Sequence, residues 1–551
     1  MSATNGRELA ATPADAASHA AQPRWLEPLL LLVVAVVASV AAAQSWNRWL
    51  DPIVDTGRDL YIPEQLLRGA KLYRDIRYQY PPLVPYLLAA ITTVIGHSLA
   101  AYTAIGIAQS AAIVAGIWVS LRKVAGVLAA FVASLLFVSL SFCGATTWGA
   151  NFVFPYSYAS TMGMVFVVAA LAGFVHGRNA LALSALLLAA WCKVEYAVAA
   201  LLIVAVLFAA RRISWRQAAA FATAAATSLA AAALFFRDTH WLRENLFASS
   251  LTEGATARRF FSVVSGRADW LLNTGEALAG VALIAGIVFA IRLNRPLFTV
   301  PLVLLLSVVG ASHSFLRAWG ILEWGILLFL LWKRREDPLL LFALFSVATT
   351  LRIPLNVSPF WYGFVLIVPV YALIACVLFR DLPLLVKSPY AAVLWLPLVV
   401  LICARDLIEQ RGRFAVKAFP IHSVRGTLLD WNSDRAKIVN AFIQGLPSGT
   451  MAVMPEGITL NYLTRTTTPL TFHTFTPVET ADPRAESEIL RELEQRTPQR
   501  VVIVRRDVAE YGFRGFGEDY DLRVASFLHS NYRVEAQWRE PKFFLVVRRR
   551  K

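Results

Sequence analysis

Three charged residues, Asp55, Arg58 and Asp59, fall within five positions of one another in the polar stretch between the first and second apolar blocks of the chain. A carboxylate held at the edge of an apolar block can take a proton from an incoming hydroxyl, which is the work of a general base. Lys193 and Arg352, with Arg58, are of the type that neutralises charge gathering on a departing phosphate. Asp59, Tyr80, Glu195, His313 and Arg317 stand where they can support either task. Each residue also has a plainer reading. Asp55 and Asp59 are four apart, share one face if a helix begins near them, and would then serve as helix-start carboxylates answering the dipole. Pro63 in the first turns and Gly69 near the end fit that helix. Lys193 and Arg352 would as readily carry their charges to the membrane surface on long apolar stems. No Walker motif, dinucleotide fingerprint or HExxH occurs, so nucleotide and metalloprotease chemistry find no support.

The elements that must position these groups are membrane spans. Of the 551 residues 57% are hydrophobic, mean hydropathy is +0.56, and apolar blocks recur from Leu26 to Cys403, which defines a polytopic α-helical membrane protein. The net charge of +16 is not a nucleic-acid footprint, because the Arg and Lys residues cluster in short groups beside apolar blocks, as topology determinants do. Cys143, Cys192, Cys376 and Cys403 lie within or beside apolar segments without metal-ligand spacing and read as small hydrophobes. Residues 1–24 are polar and Ala-rich without periodicity, a disordered cytoplasmic leader. The AAAQS after Val40 imitates a signal-peptide cleavage site, but the long leader and the many later spans favour a retained anchor.

Parity fixes the topology. Arg24 precedes the first span, at 26–43, which places the N-terminus in the cytoplasm and the loop 45–97 outside. Leu83 to Ile95 then covers only about 20 Å at ~1.5 Å per residue, short of a ~30 Å hydrocarbon core, and is expected to lie in the interface. If it crossed, Arg122, Lys123 and Arg178 would fall outside, against the positive-inside bias. Spans are predicted at about 98–120, 125–142 and 157–175, with two short ones between 179 and 210 that meet at an outer hairpin carrying Lys193 and Glu195. Others follow at about 218–236, 271–291, 297–315, 318–332, 338–351, 360–379 and 388–404. Thirteen spans leave the C-terminus outside. The transmembrane domain is thus expected over 25–404 and a soluble α/β domain over 405–551. Within the latter, 451–456 and 500–507 read as buried strands, and 485–496 and 520–532 as amphipathic helices. This arrangement brings the unusual polar groups, including the loop from Arg237 to Asp269, to one face and predicts a single extracytoplasmic cleft.

In this layout the chain resembles the GT-C glycosyltransferases, in particular glycosyltransferase family 39, the protein O-mannosyltransferases and the bacterial aminoarabinose transferases of lipid A. The resemblance is carried by Asp55 after the first span, Leu60 to Arg68 as an in-plane helix, the turn from Gly69 to Tyr73, and Tyr80-Pro81-Pro82-Leu83 opening a second in-plane helix that ends at Ile95-Gly96. Lys193 matches a family Lys between the fifth and sixth spans, and Arg352, before Pro354 and Tyr362, matches a basic residue ahead of a Pro- and Tyr-containing span. Many relatives carry a second acidic residue after the third span. Here the segment from Cys143 to Tyr158 has none, Asn151 being the nearest polar group, so a bridging divalent metal lacks its second carboxylate.

The resemblance implies a polyprenyl-phosphate sugar donor and transfer on the periplasmic side of a bacterial inner membrane to an acceptor hydroxyl on a glycan, lipid or protein. It implies Asp55 as base, inversion at the anomeric carbon, and Lys193 and Arg352, helped by Arg58, on the leaving phosphate. These residues fix no cofactor, and a divalent metal stays open. Two other classes remain open on the sequence. A transporter or lipid flippase would also use broken, ion-bearing spans, although no internal repeat pairs them. A scaffold with a partner-binding outer domain is the other, since the region around Met454-Pro-Glu-Gly457 reveals no catalytic set.

Overall fold

In the computed structural model the described residues are 23–144, 151–240, 270–293, 299, 302, 313–351, 364–387, 390–445 and 449–551. Leu26–Ser45 forms α1, with apolar residues around its whole circumference and most of them uncovered by protein, as lipid contact requires. The polar segment after it holds α2 (Gly57–Leu67) and α3 (Leu83–Ile95), joined by a turn in which Gly69 and Tyr73 adopt positive φ. The bundle continues with α4 (Leu99–Ala125), α5 (Val127–Phe142), α6 (Tyr158–Val175), α7 (Asn179–Ala190), α8 (Val194–Ala209) and α9 (Trp215–Phe235). It is completed by α10 (Trp270–Arg292), α11 (His313–Lys333), α12 (Leu339–Thr349), α13 (Val365–Val386) and α14 (Tyr390–Ala415). Among the described residues five helices are by themselves long and apolar enough to cross a membrane: α1, α4, α6, α9 and α13. The chain is a multi-pass membrane protein. At α3 the sequence expectation and the structure give the same thirteen residues, since Pro82 precedes the helix and Gly96 at φ +82 stops it.

The bundle has two chemically distinct ends. At one, Arg122 pairs with Glu27 at 3.0 Å, Lys123 donates to the Val175 carbonyl, Arg212 donates to the Arg335 and Asp337 carbonyls, and Arg380 pairs with Asp337 at 2.8 Å. The other end bears the loop 45–97, the α7–α8 hairpin and the C-terminal domain.

That domain begins with the antiparallel hairpin β1 (Phe419–Ser423) and β2 (Gly426–Asp430), followed by α15 (Ser433–Gly445). A four-stranded sheet then forms from β3 (Met451–Met454), β4 (Arg500–Val504), β5 (Tyr532–Glu540) and β6 (Phe543–Arg550) in the order β3-β4-β6-β5. β3 and β4 are parallel and the other pairs antiparallel. Between the strands run α16 (Ile458–Thr464), α17 (Pro477–Thr480), α18 (Pro483–Gln495) and α19 (Leu522–Asn531). All four residues of β3 are buried because both faces of the sheet are covered. Ala452, Met454 and Val501 pack with Ile489, Leu493 and Leu528, while Met451, Val453 and Val502 belong to the same apolar core as the membrane bundle. The β5–β6 hairpin went unread in the sequence, where its Arg-rich end, Arg548 to Lys551, masks the apolar run from Phe543 to Val547.

Candidate functional site

Helix α2 begins at Gly57, two residues after Asp55, and Asp55 itself holds a left-handed backbone with φ +65. Asp55 and Asp59 therefore do not share a helical face, in contrast to the spacing argument. The Asp55 amide donates to Glu456 Oε1 at 2.9 Å, and Glu456 Oε2 pairs with Arg506 at 2.7 Å. Asp59 has a separate task. Its Oδ2 accepts from the Tyr158 amide at 2.6 Å and so caps the start of α6, a carboxylate placed at the positive end of a span. Burial pushes the Asp59 carboxyl up against the pull of Arg58 and the Tyr158 amide.

Arg58, on the next position of α2, lies over two tyrosines, with its guanidinium carbon 5.8 Å from the Tyr78 ring and 5.3 Å from the Tyr80 ring. Its Nε is buried and has no hydrogen-bond partner among the described residues. Burial works against the charge, but Tyr80, Asp59, Tyr78 and Glu479 more than offset it, so the guanidinium stays protonated. Lys193 approaches the same Tyr80 ring, also at 5.3 Å, from the hairpin between α7 and α8. The two cations are thus at most twice that distance apart. Lys193 is only 5% exposed. Its Nζ donates to the Tyr156 hydroxyl at 2.7 Å and to Ser160 Oγ at 3.2 Å, and pairs with Glu195 at 3.2 Å. This side chain is drawn into the protein instead of extending along its surface. Tyr80 is fixed in turn by Tyr73, whose hydroxyl donates to the Tyr80 carbonyl at 2.6 Å.

The structure therefore brings together Arg58, Tyr80, Lys193 and Glu195, with Asp55 at the head of the helix that carries Arg58. His313 and Arg317 fall in the first turns of α11. Arg352 lies outside the described residues, as do residues 241–269 of the long loop. Asn151 is spent locally, its side-chain oxygen accepting from the Val153 and Phe154 amides at 2.9 and 3.0 Å in an Asx turn.

The C-terminal domain supplies what sequence reasoning missed. Besides Glu456 and Arg506 it sets Glu479 and His473 near Arg58, and Tyr511 near Asp55. Burial pushes the Glu479 carboxyl up to about 7 despite Arg58 and Arg77. Burial and then Arg58 hold the His473 imidazole down at about 3, so it is neutral. A carboxylate directly after a buried parallel strand, as Glu456 is after β3, was the one available signal. Among the described residues no group of three or more His, Cys, Asp or Glu side chains is gathered to hold a metal ion.

Fold and site define a polytopic helical membrane protein with a small sheet domain seated over a cationic, tyrosine-lined site. No family model matches the chain, and no curated protein matches it in sequence. Among solved structures it is similar to ArnT from Cupriavidus metallidurans bound to undecaprenyl phosphate, at 15% identity over 95% of this chain and 98% of that one, with a TM-score of 0.46. It is also similar to the oligosaccharyltransferase AglB from Archaeoglobus fulgidus in complex with an inhibitory peptide and a dolichol-phosphate. There the identity is 13% over 95% of this chain and 74% of that one, with a TM-score of 0.48.

Proposed function

We propose that this chain is a membrane glycosyltransferase that moves a sugar from a polyprenyl-phosphate donor to an acceptor hydroxyl at the outer face of a bacterial inner membrane. The observation that carries the reading is the pair of cations, Arg58 and Lys193, brought from separate elements to one tyrosine ring beside the Asp55 turn. Two cations over one tyrosine ring suit a phosphate monoanion better than a single surface charge does.

Asp55 takes the proton of the acceptor hydroxyl as its oxygen attacks the anomeric carbon. The bond from that carbon to the phosphate oxygen breaks on the opposite side, which inverts the configuration. The electron pair stays on the phosphate, where Arg58 and Lys193 meet the added charge, with Arg352 assigned beside them by the family resemblance. Tyr78, Tyr80 and Tyr156 keep water from these contacts and so strengthen them.

Asp55→Asn tests the reading. Asn keeps the size and hydrogen-bonding shape but accepts no proton, so transfer falls by about 10²–10⁴-fold with undecaprenyl-phosphate binding retained. Turnover within a few-fold of wild type in purified protein would remove Asp55 as base.

A further inference from the structure

We infer that Glu456 of the C-terminal domain is a positioning residue for Asp55, holding the Asp55 amide and thereby setting where the Asp55 carboxylate points. The inference rests on Asp55 as the base. Asp55 sits at φ +65, a conformation that L-residues rarely adopt and that persists where surroundings over-determine it. Those surroundings come from two domains. Above, Glu456 is only 7% exposed and is held on both oxygens, by the Asp55 amide at 2.9 Å and by Arg506 at 2.7 Å. Arg506 is anchored in turn by Glu510 at 2.6 Å. Below, Thr56 Oγ1 donates to the Pro155 carbonyl at 2.9 Å, and the Asp59 amide closes on the Thr56 carbonyl at 3.1 Å. Gly57 abuts Thr459 so closely that a Cβ there would run into its backbone. The turn is clamped from both sides, and among the described contacts Glu456 grips Asp55 itself.

Docking of the domain does not depend on that grip. Arg425 pairs with Glu64, Arg435 pairs with Asp51 at 2.9 Å, and Arg77 pairs with Glu488 at 3.2 Å, three independent ties between the first loop and the C-terminal domain. Loss of Glu456 leaves these in place, and leaves Arg506 its bond to Glu510. A positioning role therefore separates from a docking role.

The test uses full-length protein in detergent or nanodiscs, with E456A, E456Q, D55N and the two double variants. Hydrogen exchange needs no substrate: in E456A the peptide covering residues 53–59 exchanges faster, while peptides containing Glu64 and Arg425 exchange as in wild type. Turnover is followed with a panel of undecaprenyl-phosphate hexoses and pentoses. For E456A kcat falls about 10²-fold, the scale of an ångström-sized misplacement, with donor KM within about threefold. E456Q keeps an oxygen for the amide and loses about fivefold or less. It also moves the acidic limb of kcat/KM to lower pH, because a negative charge beside Asp55 is gone. In the D55N background neither substitution slows the enzyme further. Unchanged exchange at 53–59 overturns the inference, and so do E456A turnover within threefold of wild type or losses that add to those of D55N. Should E456A fail to fold, the pH shift of E456Q and its non-additivity with D55N decide. D55N near wild-type rate sinks the base itself, whereas slow D55N with fast E456A sinks only the role of Glu456.

Discussion

Tyr80 presents its ring to two cations. Its ring attracts Arg58 and Lys193 by cation–π interaction, each worth about 0.5–2 kcal/mol according to desolvation, and its position is fixed through Tyr73. Among the described residues Arg58 has electrostatic support but no ion pair at contact distance, so the proposed phosphate would add to its interactions, whereas Lys193 already pairs with Glu195. On the proposed reading Lys193→Ala removes one charge-assisted hydrogen bond to the phosphate, an expected loss of about 1.5–3 kcal/mol, or about 10–150-fold in undecaprenyl-phosphate affinity. The variant still inserts, because Lys193 packs at a hairpin and not within a span. Affinity equal to wild type in a binding titration would return Lys193 to the role of a structural cation for Glu195 and Tyr156. The C-terminal domain carries a separate titration. Burial raises Glu479 to about 7 from its ordinary 4.5, so between those values the folded protein holds a proton that the unfolded chain releases. Stability therefore falls as pH rises through that window, by an amount on the order of 3 kcal/mol, with buried Asp521 acting in the same direction. Glu479→Gln should flatten the dependence of unfolding temperature on pH between about 4.5 and 7. An unchanged slope in a thermal-shift series would assign it to Asp521.

At the scale of elements, α2 is the joint between the membrane bundle and the C-terminal domain. Its first residue, Gly57, has no room for a side chain against Thr459, and its third, Asp59, caps α6. Gly57→Ala is expected to lower stability by about 1–3 kcal/mol through overpacking, more than the helix propensity of Ala returns at a first position. The measurement is thermal unfolding with transfer activity alongside. An unshifted transition would mean that α2 seats on Thr459 more loosely than the geometry requires. Helices α2 and α3 were legible because their signals are local: Pro82 and Gly96 bracket α3, and Gly69 ends the α2 turn. The Asp55–Glu456 contact was not, because its partners are 401 residues apart and a polar contact at that distance leaves no periodic trace. The reading of Asp55 and Asp59 as one face failed for a related reason. It assumed helix where a left-handed residue, unannounced by Gly or Asn, breaks the backbone before Gly57.

Across the whole molecule, the polar contacts sort the chain to two ends, and the parity argument turns on that sorting. Glu27 with Arg122, Lys123 with the Val175 carbonyl, and Arg212 with the Arg335 carbonyl share one end. Asp51, Glu64 and Arg77 of the first loop meet Arg435, Arg425 and Glu488 of the C-terminal domain at the other. The basic residues that cluster at the first end are those that the positive-inside bias would place in the cytoplasm, and a first loop bonded to the C-terminal domain must share its side of the membrane. A reporter active only in the periplasm is therefore expected to be active when fused after Lys551 and silent when fused at Arg335. The opposite pattern would put Asp55, Arg58 and Lys193 in the cytoplasm together with the C-terminal domain. The contacts among them would stand, but the donor would have to be met on the inner leaflet, and the outer-face reaction proposed for this site would be wrong.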